Sequence, residues 1–259
     1  MMSAPPGLRC VEHVMGMAVV VDLRDEDAGE GALREVFAWL RWVDATFSTY
    51  KPESEVSRLG RGELALRDVH PEVRVVLARC EQLRWETDGY FDVRAASPAA
   101  LDPSGFVKGW SVDRAAGILD GFGIRNYAVN AGGDMRLRGR AAPAWCWRVG
   151  IQHPLLAEAV ARVIETGELA VATSGDYARG EHVVDPHTHA PPRGLLSVTV
   201  TGPELGTADA YATAAFAMGA ERALHWAARL RAYEVLAILA DGAVLATPGF
   251  PASASPTAA

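Results

Sequence analysis

The sequence has little that would place it outside water or on nucleic acid. Its longest apolar stretches are short, as in "VMGMAVVV" after Glu12 and His13, and no segment reaches the length a bilayer demands. This excludes a membrane-spanning chain, and no secretory leader is visible in "MMSAPPGLRCVEHVMGMAVVV". Cysteine is scarce. Cys10, Cys80 and Cys146 are an odd number, far apart and without a CxxC, which argues against a disulfide framework or a cysteine zinc site and for a reducing compartment. Positive charge is also short: 25 Lys and Arg stand against 32 Asp and Glu, a net charge of −7, with no basic cluster for a phosphate backbone. Internal repeats are absent.

What is present is ordinary globular material. In 259 residues, 49% are apolar and 22% charged, enough for a sizeable core. Residues 14–22 read as a strand. Leu33, Val36, Phe37, Leu40 and Val43 recur at helical spacing, which predicts a helix over 31–45. "FSTYKPESEVSRLGRGE" interrupts with Pro52, Gly60 and Gly62 and reads as irregular. A helix follows from Pro71 to about Thr87, then a turn at "DGYFD", then a helix over 108–119 closed by Gly121 and Gly123.

The second half reads as short β runs broken by Gly and Pro: "YAVNAGGDMRLRG", "CWRVGIQ", "RVIETGELAVAT", "HVVDP" and "LLSVTVTG". Helices over 207–219 and 220–231 come next, and "YEVLAILADGAVLAT" closes as a hairpin turning at Asp241-Gly242. Runs of strands and runs of helices, without βαβ alternation, predict an α+β fold. One domain is expected over residues 1–250, with a flexible tail over 251–259.

Four clusters carry candidate chemistry. In "NAGGDMRLRG", Asn130, Gly132, Gly133 and Asp134 could offer consecutive amides to a phosphate or ribose; the plainer reading is a tight turn between strands. In "LDPSGFVKGWSVDR", Asp102 is held extended before Pro103, and Lys108 at a helix opening would make an anion site or simply a solvated helix start. In "ATSGDYARGEHVVDPHTHAPPRG", His182, Asp185, His187 and His189 resemble a metal box, although Pro186 disrupts the strand alternation that would align them, and solvent exposure is the commoner fate. In "TADAYATAAFAMG", Asp209 and Thr213 lie four apart on one helix face. Helix capping by Thr207, with Asp209 at the positive end of the helix, explains the acid but leaves the interior hydroxyl without a purpose. A hard cation held by both explains the pair.

These clusters, in this order and joined by "FSTYKPESEVSRL" and "TDGYFD", resemble the ApbE family, the FAD:protein FMN transferases, over most of the chain. The resemblance implies a flavin-binding α+β fold and a Mg2+-dependent cleavage of FAD. FMN would pass to a Ser or Thr hydroxyl of an acceptor protein through a phosphoester, with AMP released. It implies Asp209, Thr213 and a main-chain carbonyl near Gly105 as metal ligands. Met15, Tyr50, the turn of Gly89, Tyr90 and Phe91, Asp102, Lys108, His182 and Val183 fall on FAD-contacting positions. His182 is implied near the reacting phosphate, with Asp185 a second candidate base, and Asp113 and the Asn130–Asp134 turn support the site.

The same site with water as acceptor would be a FAD pyrophosphatase, and without turnover a FAD-binding module; a flavin-free structural domain is the bland alternative. Two departures stand out. The family's "DPxTG" reads "DPHTH" here, with His189 in place of glycine, and the connection between "TDGYFD" and "LDPSG" is short. Family members often carry an export signal or lipid anchor; its absence here predicts a cytoplasmic protein.

Overall fold

The structure is a computed structural model and describes residues 7–26, 29–95, 101–142, 145–156, 158–175 and 183–251. It opens on a hairpin, β1 (Leu8–Val14) and β2 (Met17–Leu23), which pair from Leu8–Leu23 to Val14–Met17. Met15 and Gly16 form its two-residue turn, both with positive φ (56° and 71°), the twist such hairpins favour. The expected strand over 14–22 therefore contains a turn. Met-Gly is not the Asn-Gly or Asp-Gly pair that marks such turns in sequence.

Helices α1 (Glu30–Phe47), α2 (Glu55–Gly60), α3 (Pro71–Glu86) and α4 (Ser104–Gly121) follow. The stretch expected to be irregular thus holds the short α2, started by Ser54, whose hydroxyl accepts from the Ser57 amide. Helix α4 begins four residues earlier than expected. Asp102 Oδ1 accepts from the Ser104 amide at 2.9 Å, so the Asp-Pro-Ser stretch leads directly into the helix.

Strands β3 (Tyr127–Ala131), β4 (Asp134–Arg138), β5 (Trp147–Gln152), β6 (Val160–Thr166), β7 (Glu168–Gly175) and β8 (Leu195–Gly202) come next. Helix α5 (Leu205–Ala227) and the closing hairpin β9 (Glu234–Leu239) and β10 (Val244–Ala246) complete the order. Of "HVVDP", His182 lies outside the described residues, and Val183 to Asp185 are irregular rather than strand. Eight strands form one antiparallel sheet in the order β1-β2-β3-β4-β7-β8-β9-β10, and β5 and β6 form a separate ribbon. The α+β expectation holds.

Alternation along the central strands gives the sheet two buried faces. Ala170, Ala172, Val235 and Ala237 pack beneath the helices, while Val171, Leu236 and Ile238 face the other way, onto Trp147, Val149, Ile151 and Ile164 of the ribbon and Phe250. Helix α5 lies in the helical layer and is buried on nearly every side by Ala208, Ala210, Ala212, Ala214 and Ala215. It breaks at Gly219 (φ 74°, ψ 172°), where the two expected helices meet, and ends at Ala227 rather than residue 231. No helix among the described residues is long and apolar enough to cross a membrane.

Candidate active site

Two glycines bring α4 and α5 into backbone contact. A Cβ on Gly109 would lie 2.4 Å from the Leu205 carbonyl oxygen, and one on Gly206 would lie 3.0 Å from the Trp110 amide nitrogen. No larger residue fits either place. Asp113, one turn further along α4, clamps the same contact: its two oxygens accept the Leu205 amide at 3.0 Å and the Gly206 amide at 2.8 Å. Glu204, at the cap position of α5, makes no side-chain cap bond, so Asp113 caps that helix from its neighbour. Burial pushes the Asp113 carboxyl up to about 6, against the lowering effect of the two amides and of Arg136. Asp113 thus fixes the position of one helix against the other.

The crossing places Lys108 of α4 between two buried carboxylates. Its Nζ is 2.6 Å from Asp134 Oδ2 and 3.4 Å from Asp209 Oδ1. Lys108 stands in the second turn of α4 rather than at its opening, and its ammonium meets two acids. Asp134 follows the Gly132–Gly133 turn at the start of β4, and its Oδ1 accepts from the Thr173 amide at 3.0 Å. The turn itself takes the plain reading. The Gly132 amide donates to the Ala18 carbonyl at 3.3 Å and the Gly133 amide to Asn130 Oδ1 at 2.9 Å, so neither is spare for a phosphate.

Asp209 is buried in the second turn of α5, too far in for the capping explanation, and Thr207 is itself inside the helix with its hydroxyl on Glu204. Burial raises the Asp209 pKa well above the usual carboxylate range; Lys108 opposes this and Asp134 adds to it. Asp209 Oδ2 accepts from the Gly109 amide at 3.2 Å. That amide's regular helical partner is the Gly105 carbonyl one turn back, so the bond to Asp209 competes for the donor of that carbonyl. Thr213 Oγ1 lies one turn beyond Asp209, 3.4 Å from Ser174 Oγ of β7, and 3.2 Å from where a Gly105 Cβ would stand. Gly105, Asp209 and Thr213 are therefore neighbours.

The turn at Gly89 joins this cluster to the surface. Asp88 and Gly89 have positive φ (53° and 83°). Phe91 Cε2 lies 3.3 Å from the same Gly105 Cβ position, and Tyr90 meets the His187 ring edge-on at 4.6 Å. His187 Nε2 lies 3.0 Å from the Asp88 carbonyl oxygen. Met15 reaches α4, with Sδ 3.8 Å from Ser111 Oγ, whereas Tyr50 stands 96% exposed on the turn before α2. Asp185 folds its own loop: Oδ1 accepts from the His187 amide at 2.8 Å and Oδ2 from the Thr188 hydroxyl at 2.9 Å. His189 sits at φ 56°. That left-handed backbone suits glycine, which is the physical reason for a glycine in the family block. His182 lies outside the described residues, and Val183, the first residue after them, is buried. Among the described residues no three His, Cys, Asp or Glu side chains converge as a metal group; His182 of the candidate box lies outside them.

Ser174, Gly109 and Gly206 were not singled out by sequence reasoning. For Gly109 the available signal was a glycine inside the expected helix over 108–119; Gly206 lies just before the expected helix over 207–219, and Ser174 had no signal beyond its place beside "GDY".

A model of the ApbE family matches residues 15–101 and 93–237. The chain belongs to the ApbE family. An FAD:protein FMN transferase of Vibrio cholerae is 40% identical over 134 residues, which span 48% of this chain and 40% of that one. One from Rhodobacter capsulatus is 37% identical over 166 residues, 60% of this chain and 31% of that one. One from Haemophilus influenzae is 27% identical over 253 residues, 73% of each chain. The chain thus spans well under two thirds of the first two relatives. The solved flavin transferase ApbE from Vibrio cholerae superposes with a TM-score of 0.82 at 26% identity, over 93% of this chain and 96% of that one. The ApbE protein of Thermotoga maritima, with a TM-score of 0.84 at 22% identity over 94% and 98%, shares the fold.

Proposed function

We propose that this ApbE-family protein is a Mg2+-dependent FAD:protein FMN transferase, a single catalytic domain over residues 1–250. FMN would move from FAD to a Ser or Thr hydroxyl of an acceptor protein through a phosphoester, with release of AMP. The observation that carries this reading is the meeting of Asp209, Thr213 and Gly105 beside Lys108 at the α4–α5 crossing. The names of the relatives, FAD:protein FMN transferases, support the choice of substrate.

The residues fit a hard cation. Asp209 offers a buried carboxylate, Thr213 a hydroxyl whose protein contact is long, and Gly105 a carbonyl whose helical donor is drawn toward Asp209. A sparse oxygen set is what Mg2+ accepts when waters and substrate phosphates complete its shell. A bound Mg2+ would supply charge neutralisation at the diphosphate and at the departing AMP. The chain's own groups would do the rest. Lys108 offers an ammonium to the non-bridging phosphate oxygens, and Phe91 and Tyr90 wall the cleft against water. Met15, Tyr50, the Gly89 turn, Asp102 and Val183 are proposed to hold the remainder of FAD. His182 is proposed, on family resemblance, to take the proton from the attacking hydroxyl oxygen. Asp185, whose two oxygens both accept within its own loop, is the second candidate base. The three unpaired cysteines, Cys10, Cys80 and Cys146, support a cytoplasmic acceptor.

The test combines the protein with FAD, Mg2+ and an acceptor domain bearing a Ser/Thr target, following AMP and protein-bound flavin fluorescence. AMP with labelled acceptor supports transfer. AMP with free FMN replaces it by pyrophosphatase action, and bound but intact FAD replaces it by storage.

A further inference from the structure

The cluster at the α4–α5 crossing has one movable member. Asp134 is fixed by the Thr173 amide at 3.0 Å and Asp209 by the Gly109 amide at 3.2 Å, so backbone holds both carboxylates. Lys108 reaches them on a flexible four-carbon stem, with its side chain 19% exposed. Its distances to the two acids are unequal, 2.6 Å to Asp134 and 3.4 Å to Asp209. With both carboxylates ionised, the two acids and the ammonium sum to a single negative charge in a buried place, which calls for further cation. Once a divalent cation arrives, the sum becomes positive and calls for an anion.

Resting on the metal reading above, we propose that Lys108 is a resident counter-cation that competes with the divalent ion for Asp209. When the ion enters, Lys108 is displaced onto Asp134 and towards the cleft, where it becomes a positioning residue for the dinucleotide diphosphate. Asp209 is the carboxylate it surrenders because that contact is the looser one. Repulsion between an ammonium and a dication a few ångströms apart makes the metal-only state unfavourable, and a diphosphate touching both relieves it. The lysine therefore couples metal binding to substrate binding: it weakens the ion's hold alone and strengthens the hold on ion plus FAD.

The two effects have opposite signs in one variant, which a merely structural role cannot produce. Mn2+ binding without nucleotide is measured by calorimetry, and FAD binding at saturating Mn2+ by flavin fluorescence, for wild type and Lys108→Met. The variant should bind Mn2+ alone roughly tenfold or more tightly than wild type, and FAD roughly tenfold more weakly. Lys108→Arg, which keeps the charge, should stay close to wild type in both, and Lys108→Gln provides the same comparison should the Met variant fail to fold. Unchanged or weaker Mn2+ binding in the variants, with wild type binding the ion, overturns this role for Lys108 and leaves the metal site standing. No Mn2+ binding by wild type or variants overturns both.

Discussion

The crossing of α4 and α5 and the loop from Val183 to Ala190 both carry charged and ionisable side chains, yet they hold them in opposite ways. At the crossing, Asp134 and Asp209 are buried beside a partly exposed Lys108, and both acids are tied to backbone amides. In the loop, Asp185, Thr188 and His187 satisfy one another at the surface. Removing a buried partner strands a charge in low dielectric, while removing an exposed one hands its bonds to water. Function that depends on a fixed constellation therefore belongs at the crossing, and the loop can vary. His189 in that loop occupies a left-handed position that a glycine would fill without strain.

The largest expected effect sharpens this contrast. Asp209→Ala should lower metal-dependent AMP release about 100-fold or more, with a cooperative thermal transition retained. Asp185→Ala in the same assay should lose less than about tenfold; the reverse order would break the comparison. Next in size is Gly109→Ala. Its new methyl would meet the Leu205 carbonyl oxygen at 2.4 Å, so the helices must part. A loss of about 1–3 kcal/mol in chemical denaturation is expected, together with weaker FAD binding.

Asp113→Asn should cost about 1 kcal/mol, because an amide oxygen cannot accept from both amides as the two carboxylate oxygens do. The variant also carries a pH signature. Burial raises Asp113 from 3.8 to about 6, so the folded protein keeps this proton where the unfolded chain has lost it. Its contribution to stability accordingly falls as pH rises from 3.8 to about 6, and Asp113→Asn should flatten that part of the stability–pH curve. The smallest effect belongs to the loop. His189→Gly should raise stability by about 0.5–1 kcal/mol in thermal melts by relieving the positive φ, with turnover little changed.

Much of the molecule was legible from local pattern. The face of α1 from Leu33 to Val43, Pro71 at the start of α3, and the Asp241-Gly242 turn each announce themselves within a few residues. So did the pairing of Asp209 with Thr213, which follows from helical spacing alone. What escaped was long-range. Nothing near Lys108 in the chain says that Asp134 and Asp209 will face it, because that meeting depends on Gly109 and Gly206 letting two distant helices touch. The capping role of Asp113 is hidden in the same way, since its helix partner lies about ninety residues on. The Met15–Gly16 turn escaped for a local reason: methionine stands at positive φ, a position that turn statistics reserve for Asn, Asp or Gly.

The central claim is that the oxygens of Asp209 and Thr213 grip a divalent cation against the diphosphate of FAD. The most direct measurement is a crystal of the protein with Mn2+ and FAD, examined by anomalous scattering. A single strong peak bonded to the Asp209 carboxylate, the Thr213 hydroxyl and a phosphate oxygen is the predicted result. A peak bound elsewhere, or a diphosphate seated away from these two side chains, would contradict the account.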